Sequence, residues 1–173
     1  MQTLELSDYH IHIGPLEESL PSFMEGTSYS QIVVLIDENT ESHCLPLLAK
    51  ALGRDFQSLW IPPGEKHKNF TSCQYIWKNL LDKNIDRSAL MINLGGGVIG
   101  DMGGFCAATF KRGIDFVQVP TTLLAQVDAS IGGKLGIDFG KVKNSIGLFE
   151  DPRAVFIDTG VLATLPRREV RSG

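Results

Sequence analysis

Ala89-Leu90-Met91-Ile92-Asn93-Leu94-Gly95-Gly96-Gly97-Val98-Ile99-Gly100-Asp101 is the stretch that decides the fold. Its first half is a short apolar run, of the length and composition of a strand buried on both faces. That run passes straight into three glycines, and a helix is expected from Val98 to Phe110. Gly95, Gly97 and Gly100 supply the G-x-G-x-x-G spacing between strand and helix, which is the context a phosphate-binding turn requires. Glycines let backbone N–H groups come close to a pyrophosphate, and the helix N-terminus adds the positive end of its dipole.

Working outward, strand and helix alternate. Upstream, Tyr9 to Ile13 alternates and ends at Gly14-Pro15, Leu16 to Met24 reads as a short helix interrupted by Pro21, and Gln31 to Asp37 is a β-branched apolar strand. Asn39 or Thr40 can cap a helix running to Leu52 and stopping at Gly53. Phe56 to Ile61 is a further strand, halted by Pro62-Pro63-Gly64, and Thr71 or Ser72 starts an amphipathic helix through Leu81. Downstream come a strand from Phe116 to Val119, a helix start at Pro120-Thr121-Thr122, and a last strand from Ala154 to Ile157. From Asp128 onward the glycines punctuate loop and hairpin instead of another crossover. The order of elements predicts an α/β fold, a Rossmann-like parallel sheet with right-handed crossovers and helices on both faces. The chain ends soon after a helix-start signal, Thr164-Leu165-Pro166, which reads as one domain, residues 1–173, whose continuation lies elsewhere.

Composition narrows the function classes. The chain has 173 residues, 43% hydrophobic and 21% charged, which suits a folded globular domain and excludes whole-chain disorder, collagen and coiled coil. A net charge of −4 lacks the basic footprint of a nucleic-acid binder. No run approaches the roughly 18 apolar residues of a membrane helix, and the acidic N-terminus is unlike a secretory signal. Three scattered cysteines argue against a disulfide framework. A cytoplasmic protein is expected. The four histidines form no metal-ligand pattern.

Other candidate positions follow from residue type. Asp37 ends a strand, where it can cap a helix or hold ribose hydroxyls. Glu65 and Lys68 follow the Pro-Pro-Gly turn. Asp128, Lys134, Lys143 and Asn144 stand on glycine-rich loops, and with Lys111 and Arg112 they make a local basic group suited to a small anionic substrate such as a sugar phosphate.

Gly95-Gly96-Gly97-Val98-Ile99-Gly100-Asp101, Lys111-Arg112-Gly113, the run from Val117 to Lys134 (VQVPTTLLAQVDASIGGK), Lys143-Asn144 and Leu165-Pro166-x-Arg168-Glu169 together resemble the 3-dehydroquinate synthase family. The resemblance implies conversion of 3-deoxy-D-arabino-heptulosonate 7-phosphate to 3-dehydroquinate and phosphate, a step of the shikimate pathway. It implies NAD, used and regenerated in place, and a divalent metal, zinc or cobalt. It also implies a homodimer of two-domain subunits, with this chain as the NAD-binding N-terminal domain and the metal ligands beyond Gly173. A sister sugar-phosphate cyclase, a metal-dependent polyol dehydrogenase and a non-catalytic NAD-binding module stay open as alternatives.

Carried over by position, Asp37 and Asn39 are expected at the adenosine end of NAD, and Glu65 and Lys68 near its ribose. Gly96, Gly97, Val98, Ile99, Gly100 and Asp101 are expected around the pyrophosphate, with Thr121, Thr122 and Thr164 on the cofactor. Asp128, Lys134, Lys143 and Asn144 are expected at the substrate, the two lysines also reaching the cofactor. Arg112 is expected to reach the substrate phosphate of a neighbouring subunit. The segment Lys134 to Lys143 departs from the commoner family form, and Lys143 is preferred to Lys141 because Asn144 follows it.

Overall fold

A computed structural model describes residues 1–6 and 8–172. Seven strands form one sheet in the order β1 (Gln2–Glu5), β2 (His10–Ile13), β9 (Ala154–Ile157), β6 (Asp115–Pro120), β5 (Leu90–Gly95), β3 (Ile32–Ile36) and β4 (Gln57–Trp60). All neighbouring pairs are parallel except β1 with β2. The fold is therefore Rossmann-like α/β, as expected, with an antiparallel edge strand that the sequence reading missed. β1 has no buried residue, so no apolar periodicity marks it.

Two cores lie on opposite faces, and strand alternation assigns residues to them. Ile32, Val34 and Ile36 of β3 and Ile92 and Leu94 of β5 pack with α1 (Leu16–Glu25) and α3 (Leu45–Leu52). Val33, Leu35 and Met91 pack on the other face with α4 (Phe70–Asp82) and α5 (Gly97–Thr109). A separate antiparallel hairpin, β7 (Lys134–Phe139) with β8 (Val142–Phe149), lies outside α5 and adds Leu135 and Ile137 to that core. Gly104 makes the close approach possible: a Cβ there would lie 2.4 Å from Leu135 Cδ2. Asn93, in the middle of β5, is buried under α5 with neither side-chain polar atom bonded. Gly103 faces it, and a Cβ there would lie 2.1 Å from Asn93 Oδ1.

Several local expectations are corrected. The helix expected up to Leu52 is two helices, α2 (Glu38–His43) and α3, because Pro46 in the first turn of α3 cannot donate a backbone hydrogen bond to the preceding turn. Its cap is Asp37, not Asn39 or Thr40: Asp37 Oδ1 accepts from the N–H of Asn39 and Thr40, both at 2.9 Å, and Thr40 Oγ1 accepts from the N–H of Asp37 at 3.0 Å. Gly53 does end α3 in the left-handed conformation, at φ 57°. α4 is capped by Asn69, earlier than Thr71 or Ser72, because Asn69 Oδ1 accepts from Ser72 N–H at 3.1 Å. The signal at Thr164-Leu165-Pro166 does start a helix, α6 (Arg167–Ser172), whereas the sequence reading left that segment without one. Gly173 lies outside the described residues. Among the described residues no helix is long and apolar enough to cross a membrane.

Candidate functional site

Parallel strands place all their carboxyl ends on one edge. β3 leads outward to β4, while β5 lies on its other side, so the connections diverge there and open a crevice. Asp37 follows β3, Pro63-Gly64-Glu65 follow β4, Gly96-Gly97 follow β5, and Thr121-Thr122 follow β6. These turns enclose a cleft of about 760 Å³. Asn39, Lys68, Val98, Ile99, Asp101 and Thr164 also line it, so most residues expected at a cofactor are brought together.

The floor of the cleft is the start of α5. Gly96 occupies the cap position, no side chain caps the helix, and its first turn carries no acidic residue. The first-turn N–H groups of α5 lie at the cleft, where an anion would satisfy them. A Cβ at Gly97 would meet only Ala129 Cβ, at 3.5 Å, so the fold itself tolerates a methyl there. Gly95 and Gly96 are different. A Cβ at Gly95 would lie 2.4 Å from Ile99 Cδ1 and one at Gly96 3.0 Å from Thr122 Cγ2, so these two glycines serve packing as well.

A second cleft of about 560 Å³ adjoins the first, and Asp101 and Ala129 line both. Asp128, Lys134 and Asn144 meet there. Asp128 arrives on a π-helical turn, Ala125–Ala129, in which Ser130 N–H bonds back to Ala125 O at 3.1 Å. Lys134 and Asn144 come from opposite strands of the hairpin.

Between the clefts stands Lys68, which is only 4% exposed. Its Nζ pairs with Asp101 and donates to Asn144 Oδ1 at 2.6 Å. Burial pushes the Asp101 carboxyl above the ordinary aspartate range; Lys68 opposes that rise, and the charges of Glu65 and Asp128 add to it. At the far end of the first cleft, burial and the charge of Asp37 push the Cys44 thiol up to about 11.

Some expected residues stand elsewhere. Gly100 is buried and faces the sheet: its carbonyl accepts from Gln118 Nε2 at 3.1 Å, so it packs α5 and does not line the cleft. Lys134 lines the second cleft, not the first. Lys143 lines neither; its exposed amine lies 3.2 Å from Glu65 Oε1, at the rim. Arg112 lies past the end of α5, whose 13 residues span about 20 Å, is exposed and lines neither cleft. His43 and Cys44 line the first cleft without having been singled out, because nothing in their local sequence distinguishes them from packing residues.

The combination is that of a Rossmann-like α/β domain with an anion-receptive helix start at the switch point of a parallel sheet and a second, lysine-bearing cleft beside it. The sequence model of the 3-dehydroquinate synthase N-terminal family matches residues 58–172, and the chain belongs to that family. It is 44% identical over 182 residues to a 3-dehydroquinate synthase of Pseudomonas fluorescens, with 100% of this chain and 49% of that protein covered. It is 53% identical over 131 residues to one of Halorhodospira halophila, covering 74% of this chain and 37% of that protein. The chain thus spans half or less of the length of these relatives.

Among solved structures it is similar to 2-deoxy-scyllo-inosose synthase complexed with carbaglucose-6-phosphate, NAD+ and Co2+, at a TM-score of 0.91 and 25% identity, covering 99% of this chain and 50% of that one. It is also similar to 2-epi-5-epi-valiolone synthase of Streptomyces hygroscopicus with NAD+ and Zn2+ bound, at 0.83 and 29%, covering 99% and 48%. A glycerol dehydrogenase of Schizosaccharomyces pombe, at 0.68 and 20%, shares the fold.

Proposed function

We propose that this chain is the NAD-binding part of a 3-dehydroquinate synthase, a phosphate-eliminating lyase acting on 3-deoxy-D-arabino-heptulosonate 7-phosphate. The observation that carries this reading is the pairing of clefts. A glycine-floored cleft of dinucleotide size shares Asp101 with a second cleft holding Lys134, Asp128 and Asn144. A cofactor and an anionic polyol laid in the two would meet at that residue.

The chain's own groups fit NAD. The α5 amides at Gly97 and Val98 would receive the pyrophosphate. Asp37 keeps Oδ2 free of the helix cap and would accept ribose hydroxyls. Thr121 and Thr122 would bond the nicotinamide end. NAD supplies transient oxidation of a ring hydroxyl, which acidifies the neighbouring C–H. Lys134 would hold the anionic substrate, and Arg112, which lines neither cleft of its own chain, would serve the clefts of a partner subunit. Among the described residues no group of three His, Cys, Asp or Glu side chains is placed to hold a metal ion, so this chain does not fit the Zn2+ or Co2+ named for its structural neighbours, and no step here rests on one.

The reading is tested by phosphate release from the heptulosonate phosphate by the complete gene product with NAD. Release with no net accumulation of NADH is expected. Steady NADH formation without phosphate release would replace the synthase by a polyol dehydrogenase. Release from a different sugar phosphate alone would replace it by a sister cyclase.

Gly97→Ala separates ligand from fold. The added methyl would meet only Ala129 Cβ, at 3.5 Å, so stability should change by less than about 1 kcal/mol. Because Gly97 lines the first cleft at the start of α5, a methyl there would crowd a pyrophosphate on the α5 amides, and NAD affinity should fall roughly tenfold or more, read by calorimetric titration. Undiminished affinity would move the pyrophosphate away from α5.

A further inference from the structure

The hairpin and the loop before α4 are far apart in sequence yet locked together. Asp138 N–H donates to Lys68 O at 2.9 Å, and Asn69 and Asp138 form an isolated parallel bridge. Asp138 Oδ1 in turn accepts from Asn144 N–H at 2.8 Å. Asn144 takes φ 50°, a left-handed conformation uncommon outside glycine, and this bond holds it there. Lys68 Nζ then fixes the side chain. An ammonium only donates, so the Asn144 atom facing it must be Oδ1, and the amide orientation follows from chemistry. The Asn144 NH2 group is left as a donor for the second cleft, which Asn144 lines.

We infer that Lys68 is a positioning residue: from the wall of the first cleft it sets the Asn144 amide so that its NH2 donates to an oxygen of the polyol phosphate in the second. The substrate named rests on the proposed function; the positioning rests on geometry alone. Lys68 is joined by the same ammonium to Asp101, which lines both clefts, so it ties the cofactor side to the substrate side through one buried charge. An asparagine held by solvent alone would present either end of its amide; this one, though exposed, has its Oδ1 held by Lys68 and presents its NH2.

The test has two readouts on the complete gene product. The first is the side-chain 15N amide signal of Asn144 without ligand. It should be dispersed and slow to exchange in the wild type and in Lys68→Arg, and collapse to the averaged position in Lys68→Met. Because Lys68→Met also leaves Asp101 without its cation, the double variant Lys68→Met/Asp101→Asn is recorded too, with unchanged backbone dispersion elsewhere as proof of folding. The second is a mutant cycle on the KM for the heptulosonate phosphate at saturating NAD. Lys68→Met and Asn144→Ala should each raise KM about tenfold, and together about tenfold rather than a hundredfold. An Asn144 signal indifferent to Lys68, or a multiplicative cycle, would overturn the inference. A folded wild type that releases no phosphate overturns the substrate reading, while the amide signal still decides the positioning.

Discussion

Gly147→Ala is expected to lower stability by about 2–3 kcal/mol and Tm by roughly 5–10 °C, although the residue is exposed. Gly147 stands opposite Gly136 in the β7–β8 ladder. A Cβ there would lie 2.1 Å from the Leu135 carbonyl oxygen and 2.9 Å from Gly136 Cα. These are backbone atoms, which cannot swing aside as the end of a side chain would. The strands must part or slip, and both responses disturb Leu135, whose side chain packs over Gly104 of α5. The same hairpin delivers Lys134 and Asn144 to the second cleft, so substrate KM should rise with the loss of stability, while NAD affinity should change less. Calorimetry and denaturant unfolding check the first effect. An alanine variant that unfolds with the wild type would mean that the hairpin spreads at no cost.

The first cleft was more legible in the sequence than the second, for a physical reason. Residues 95–101, Asp37 and Thr121-Thr122 act where they stand in the chain: each follows a strand, and parallel strands gather their ends on one edge. Local pattern therefore reported both the fold and the residues gathered in the strand-end cleft. The link between the clefts joins positions 33 and 76 residues apart, Lys68 to Asp101 and Lys68 to Asn144, and no periodicity encodes such a contact. Read alone, Lys68 is a charge after a turn, and only docking of the hairpin buries it. The π-helical turn that carries Asp128 has no sequence signal either, since LLAQVDA reads as ordinary helix. Gly100 illustrates the converse. Its place in the glycine spacing suggested the ligand, but Gln118, on a neighbouring strand, claims its carbonyl.

Lys68→Met should cost roughly 3 kcal/mol of stability at neutral pH, and the deficit should shrink on acidification. In the wild type the Asp101 carboxyl is already raised by burial, with Lys68 the opposing influence and Glu65 and Asp128 pushing it further up. Removing the ammonium leaves those charges unopposed, and the folded-state pKa of Asp101 climbs further. A carboxyl whose folded pKa exceeds its unfolded value binds protons more tightly in the folded state. Stability then falls as pH rises from the unfolded to the folded value, and the penalty is complete above the folded value. Denaturation of Lys68→Met should therefore show its full deficit at pH 7 and recover as pH falls towards the ordinary aspartate range. The same sign has a second consequence. Adding Asp101→Asn to Lys68→Met removes the unpaired carboxylate and should restore most of the loss, whereas Asp101→Asn alone leaves the buried Lys68 ammonium without its counter-charge and should also lower stability. Were the pair itself holding the fold together, the double variant would cost as much as Lys68→Met alone. The lysine would then be a staple of the domain, and its contact with Asn144 a by-product. Recovery in the double variant would instead show that the fold tolerates this charge cluster and does not depend on it, which is what a site kept for a charged ligand requires.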